Sequence, residues 1–329
     1  MRAATVHACG EPPVVSERPR PRQAAGQVVV SVTAAPITPL DVLCATGVSY
    51  FGVPALPYVP GVQGVGVVAE GTLSAPEGTR VWFPTTAGMR PGDGSMAHYC
   101  AASEEELVHL PDGVSDEQAA ALGLSAVAAW MALTWRAGLR SGEQVLVLGA
   151  GGVVGQVAVQ AARLLGARRV VAACRSAAAR AAAERAGADA VVAIEDGDDA
   201  AALSARLAAA CDGGIDVVVD PLFGVPAAAA ARLLSRGGRL VNLGGSAAEN
   251  ATFDSSTLRS RSAAVLGYTN NDLTNDQRRT AFAEVMGHAV AGGLSVAFDA
   301  APLDGIHAAW AKQSGGTSSR RVVVRPWAG

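Results

Sequence analysis

The clearest chemistry in the chain lies in three glycines spaced three apart, Gly149, Gly152 and Gly155, directly after the apolar run Gln144-Val145-Leu146-Val147-Leu148. Val153 and Val154 stand between the last two, and apolar residues at helical spacing follow Gly155. A helix that begins at such a turn offers unpaired backbone N–H groups and the positive end of its dipole to an anion, while glycines let the backbone come close. A dinucleotide pyrophosphate is the expected occupant. The strict G-x-G-x-x-G order fails, because Val154 falls three after Gly151; what holds is G-x-x-G-x-x-G.

The next strand ends Ala173-Cys174-Arg175-Ser176. About 20 residues past the glycine turn an NAD enzyme places an acid to bind the ribose 2′-hydroxyl. No carboxylate stands here to repel a 2′-phosphate, and Arg175 offers it a planar fork of donors, with Arg180 one turn later. A solvated arginine at a strand end accounts for Arg175 but not for the missing acid, so NADPH is the expected cofactor.

These residues need a scaffold that holds strand ends side by side, and the pattern supplies one. Strand Arg169–Ala173, helix Ala177–Ala186, strand Ala190–Ala193, helix Ala200–Ala210, strand Ile215–Asp220, helix Pro226–Leu234 and strand Arg239–Leu243 alternate as in a doubly wound parallel sheet. Upstream, from Met1 to about Pro111, short strands such as Gln27–Val32, Gly66–Ala69 and Arg80–Phe83 are punctuated by Gly and Pro and predict a β-rich domain. Helix begins near Ser115. The tail predicts strand Ala264–Gly267, helix Asn275–Ala291, a short strand near Val296, helix Leu303–Lys312 and strand Arg321–Val324.

The bulk numbers narrow the function classes. The chain has 329 residues, 50% of them hydrophobic, and a net charge of −3. That is enough for a large core in two domains. A slightly acidic chain without Lys/Arg runs is a poor nucleic-acid binder. No signal peptide is evident and no uncharged apolar run of about 20 residues, so no membrane partner is expected and a cytoplasmic location is. Five cysteines (Cys9, Cys44, Cys100, Cys174, Cys211) and five histidines show no metal-ligand or disulfide spacing.

Several pieces in order resemble one family. They are Pro39-Leu40-Asp41 ending at Gly47, Pro60-Gly61-Val62-Gln63-Gly64-Val65-Gly66, Gly94-Ser95-Met96-Ala97, Ala121-Leu122-Gly123 through Ala129-Trp130, Gly142-Glu143 before the glycine turn, and Gly237-Gly238-Arg239-Leu240-Val241-Asn242-Leu243-Gly244. The chain resembles the medium-chain dehydrogenase/reductase superfamily, in its zinc-free quinone oxidoreductase and enoyl reductase branch. The resemblance implies an α/β fold with a GroES-like β-rich catalytic domain, residues 1–118 and 268–329, and a Rossmann NADPH-binding domain, residues 119–267. It implies a homodimer, a small-molecule substrate, and cofactor contacts extended to Leu243, Gly244, Gly245 and Arg321.

In the zinc alcohol dehydrogenases of the superfamily a cysteine stands where this chain has Thr38 and a His-Glu pair where it has Val62-Gln63. The resemblance therefore implies no metal, and hydride addition to an already conjugated C=C–C=O group. Thr38, Leu43 and Ala128 depart from the quinone oxidoreductase pattern. Tyr50, counted back from Gln63, falls where enoyl thioester reductases keep a tyrosine. Its phenol can hydrogen-bond an enolate or donate a proton. The alternative is an aromatic wall of Tyr50, Phe51 and Tyr58 beside the substrate. Asp41 reads as holding its loop, and Tyr268 and Asn270 either face the substrate cleft or pack in the core.

Overall fold

The computed structural model describes residues 1–316 and 319–328. The chain divides into two units: Met1–Leu124 with Asn275–Ala291 and Ser295–Gly329, and Ser125–Thr274 with Gly292–Leu294.

The first unit opens with β1 (Arg2–Thr5), β2 (Val14–Glu17), β3 (Gln27–Ile37), helix α1 (Pro39–Thr46), β4 (Gln63–Glu70), β5 (Arg80–Pro84), β6 (Tyr99–Ser103) and β7 (Val108–His109). β3 is its centre. Val28, Val30 and Val32 recur every second residue and enter one core with Val68, Val81 and Phe83, as the period of a strand requires. β4 pairs antiparallel with β3, and β6 pairs with residues 27–31 of the same strand. Helix α2 (Asp116–Met131) follows, with Ser115 Oγ accepting from Gln118 N at 3.1 Å.

Inside α2, Gly123 takes φ 37° and ψ −139°, which breaks the helix. The cause is Gln63, whose Oε1 accepts from Leu124 N at 2.7 Å and from Trp82 Nε1 at 2.9 Å; a Cβ on Gly123 would collide with that oxygen. The stretch Asp116–Arg136 is long and apolar enough to cross a membrane, and 72% of its apolar 18-residue window is buried in the protein, as in a core helix.

The second unit runs β8 (Gln144–Leu148), α3 (Val153–Leu164), β9 (Arg169–Cys174), α4 (Ala177–Arg185), β10 (Ala190–Ala193), α5 (Ala200–Ala210), β11 (Ile215–Asp220), α6 (Gly224–Ala231), β12 (Leu234–Asn242), α7 (Ser255–Arg261) and β13 (Ala264–Gly267). All pairings are parallel, in the order β10-β9-β8-β11-β12-β13. Every residue of β8 is buried, as suits a central strand covered on both faces. The chain returns to the first unit as α8 (Asn275–Val290), β14 (Phe298–Pro302), α9 (Ile306–Ser314) and β15 (Arg321–Arg325). β15 lies antiparallel to residues 35–37 of β3.

Two expected elements differ. Leu234 begins β12 opposite Ile215 instead of ending α6, because Gly237 (φ 72°) and a register shift let the strand start early. Val296 is buried but is not in a strand; β14 starts at Phe298, parallel to β15.

Candidate active site

The glycines of the 149–155 turn do different things. Gly149 has φ 62°, a region open to glycine and costly for other residues. At Gly155 a Cβ would sit 2.5 Å from Ala150 Cα and Gly149 O, so α3 approaches the strand end this closely only without a side chain. Gly151, which the spacing passed over, lies against α4, where a Cβ would collide with Ala179. Gly152 is the exception: a Cβ there meets nothing nearer than Gly149 O at 3.6 Å. It is also the N-cap of α3 and makes no side-chain cap bond. The first-turn N–H groups, on Val153, Val154 and Gly155, have no acceptor within the helix, and the approach over Gly152 is open. That arrangement fits a pyrophosphate.

The neighbouring strand end is built as a second polar station. Ser176 caps α4, its Oγ accepting from Ala179 N at 3.1 Å. Arg180 Nη1 donates to Arg175 O at 2.5 Å, which braces the backbone and leaves the Arg175 side chain exposed. No acidic residue occurs between Cys174 and Glu184. Beneath the turn, burial pushes the Cys174 thiol up to about 11 against the pull of N–H groups from Gly151 and Ala150.

The strand order reverses between β8 and β11, and in such sheets ligands sit beyond the carboxyl ends of the strands at the reversal. There lies a carboxylate that residue type and spacing do not single out. Asp220 is 0% exposed; its Oδ1 accepts from Leu222 N (2.9 Å) and Phe223 N (2.8 Å). Burial pushes its carboxyl above the usual range, and these bonds pull it back. Asn242 Nδ2 reaches Asp220 Oδ2 at 3.3 Å and Gly244 O at 2.8 Å, and Leu243 N donates to Asp220 O at 2.8 Å. So Leu243, Gly244 and Gly245 continue from the strand beside the one that Asp220 ends. Past β13, Tyr268 donates its hydroxyl to Asn270 Oδ1 at 2.7 Å and meets Trp135 edge-on, ring centroids 6.2 Å apart.

In the first unit, α1 is held by a reciprocal cap. Thr38 N and Oγ1 donate to Asp41 Oδ2 (2.8 and 2.6 Å), and Asp41 N donates back to Thr38 Oγ1 at 3.2 Å. Asp41 Oδ1 takes Gly61 N (3.0 Å) and Val62 N (2.8 Å). Burial raises the Asp41 carboxyl and these four donors oppose it, so the residue ties the 60–62 loop to the helix. After α1 the chain turns outward: Tyr50 is 77% exposed and its ring lies 4.2 Å from that of Phe51, and Leu43 is exposed on the helix.

Three residues expected to face ligand lie in the core instead. Tyr58 is 3% exposed, its strand-like backbone bonded to Val6, so it is not part of an open aromatic wall. Thr38 is buried and its hydroxyl is engaged by Asp41. Arg321 is 2% exposed in β15, where Nη1 donates to Ile37 O at 3.0 Å; burial lowers its guanidinium to about 10, with the Asp41 charge opposing. Among the described residues no three His, Cys, Asp or Glu side chains converge as a metal cluster.

Comparison with known proteins agrees with this build. The family profile "Alcohol dehydrogenase GroES-like domain" matches residues 24–112, and "Zinc-binding dehydrogenase" matches residues 153–291. The quinone oxidoreductase of Rattus norvegicus is 31% identical over 250 residues, 74% of this chain and 73% of that one. The chain belongs to the medium-chain dehydrogenase/reductase superfamily, in its zinc-free quinone oxidoreductase branch. Within that family, the solved quinone oxidoreductase of Thermus thermophilus, described with its NADPH complex, is 30% identical, with 99% of this chain and 100% of that one covered at a TM-score of 0.80. A segment of a Mycobacterium tuberculosis protein described as an inactive type I polyketide synthase is 33% identical over 223 residues, 67% of this chain and 13% of that one. The protein is thus an oxidoreductase of this family, built for a nicotinamide cofactor.

Proposed function

We propose that the protein is an NADPH-dependent reductase that delivers hydride to the β-carbon of an uncharged α,β-unsaturated carbonyl. The observation that carries it is the end of β9, where an exposed Arg175 and the capping Ser176 stand in place of an acid. The uncapped N-terminus of α3 would hold the pyrophosphate, and Leu243 to Gly245 would line the same side. When bound, the nicotinamide supplies the hydride.

The chain's own part is to bind, orient and move a proton. Positions 42–69 carry no Asp, Glu, Lys, Arg or His, and Leu43, Tyr50 and Phe51 lie in that stretch. Such a lining suits an apolar conjugated ketone, enal or quinone. The residues at the superfamily's metal positions are otherwise employed: Thr38 caps α1, Val62 has no donor side chain, and Gln63 bonds Trp82 and Leu124. A carbonyl activated by its own conjugation needs no Lewis acid from them. Tyr50 is the candidate to meet the developing enolate oxygen.

Steady-state NADPH oxidation with a panel of enones, quinones and enoyl thioesters tests the reading. Turnover of at least one neutral conjugated carbonyl is expected; cofactor binding without any turnover refutes it. The cofactor choice has its own check. Arg175→Ala should weaken NADPH by on the order of 10- to 100-fold, about the worth of a hydrogen bond to a charged group, with NADH unchanged. A wild type that binds NADH as tightly as NADPH removes the assignment.

We read the assembly as a homodimer. β13 is an edge strand, Ala264-Val265-Leu266-Gly267, and an apolar edge invites pairing with a second copy. Sedimentation equilibrium should give twice the chain mass, and Val265→Lys should return the monomer.

A further inference from the structure

We infer that Asp220 is a positioning residue for the cofactor site, holding the turn 221–223 and, through Asn242, the loop 243–245 against the glycine turn. This rests on the nicotinamide-dependent reading above.

The turn does not hold itself. Phe223 sits at φ 61° and ψ −158°, and Phe223 and Ser262 are the two non-glycine residues with positive φ among those described. A bulky aromatic residue resists that region, so something must fix it there. The fixture is the Asp220 carboxylate, which takes the N–H groups of both Leu222 and Phe223.

Leu222, so placed, lies against the glycine turn. Its Cδ2 is 3.0 Å from where a Cβ on Gly149 would be. The carbonyls of the same turn hold the next loop: Pro221 O accepts from Ser246 Oγ at 3.0 Å, and Leu222 O accepts from Ala247 N at 2.8 Å. Asn242 closes the ring by joining Asp220 Oδ2 to Gly244 O. One buried carboxylate therefore sets three backbone segments at the carboxyl ends of β8, β11 and β12. A brace meant only to stabilise the sheet needs neither a strained turn nor this end of the strands. Burying a carboxylate among neutral donors is costly, which is a reason to expect a positional return for it.

The test measures NADPH Kd by fluorescence titration, kcat and both KM values, and the melting temperature, for wild type, Asp220→Ala and Asp220→Asn. Asp220→Ala should raise Kd and KM for NADPH by on the order of 10- to 100-fold. Its kcat at saturating NADPH and its KM for the carbonyl should stay within about threefold of wild type. Asp220→Asn still accepts both N–H groups through Oδ1 but turns an amide toward Asn242 Nδ2, so it should recover most of the affinity and remain a few-fold weak. A folded Asp220→Ala with wild-type Kd, or one in which kcat falls and Kd and both KM values rise together as the melting temperature drops, overturns the inference. Should Asp220→Ala not fold, Asp220→Asn decides alone, and wild-type affinity there overturns it. A wild type that binds no NADPH refutes the functional reading first, whatever the variants do.

Discussion

Gly152→Val should abolish measurable NADPH binding, a loss of at least about 100-fold, while lowering the melting temperature by only a few degrees. The reason lies in what surrounds that one glycine. Its φ of −75° is ordinary for any residue, and the space beyond its Cα is bounded only by Gly149 O at 3.6 Å. The fold therefore accepts a side chain there at about 1 kcal/mol, the cost of a poor N-cap residue. The same space is where a pyrophosphate must come to reach the N–H groups of Val153 and Val154, and two methyl groups fill it. Gly155→Ala is the control, because its Cβ would lie 2.5 Å from Ala150 Cα, so stability and binding should fall together. Fluorescence titration and thermal melting separate the two cases. If Gly152→Val binds NADPH normally, the phosphates do not approach over this turn.

Tyr50→Phe should leave NADPH affinity unchanged and lower kcat by on the order of 10- to 100-fold on the best enone. The substitution keeps the ring and its contact with Phe51, 4.2 Å between centroids, and removes only the hydroxyl. General acid catalysis contributes typically about 10²–10⁴-fold, but Tyr50 is 77% exposed, so water can replace part of it. That exposure sets the expected loss at the low end. If the ring is only wall, Phe is silent and Ala raises KM for the carbonyl. A Phe variant with wild-type kcat/KM removes Tyr50 from the chemistry and leaves water as the acid.

The two sites differ in how much the sequence disclosed, and the difference is physical. Around Gly149 to Gly155 the chemistry is local: a strand, a turn and a helix succeed one another, so spacing alone places the N–H groups. Ser176 and Arg175 follow from the same logic one strand later. Asp220 does not stand out because its bonds to Leu222 and Phe223 are those of any acid before a turn, and Asn242 reaches it only once β11 and β12 lie side by side. Gly151 was passed over because its neighbour is Ala179, on another helix. In the first unit the uncharged stretch around Tyr50 gave no periodicity to tell inside from outside. Tyr50 and Tyr58 are similar in sequence context, yet one is exposed and the other joins the core through its pairing with Val6. Arg321 carries a charge that argues for the surface, and only its bond to Ile37 O shows why it is buried.

The pairing of β15 with residues 35–37 of β3 also dictates the order in which the protein can be made. A ribosome delivers Val322 only after Ile37 and the whole inserted unit, so the central strand of the first unit waits through that synthesis with part of its edge open. The inserted unit, Ser125–Thr274, needs only Gly292–Leu294 from downstream and can assemble its sheet meanwhile. Nascent chains arrested before β15 should therefore carry a folded second unit and a first unit in which β3 pairs with β4 and β6 but is left open at Ala35-Pro36-Ile37. For this protein, aggregation during expression is a problem of the end of β3 waiting for β15.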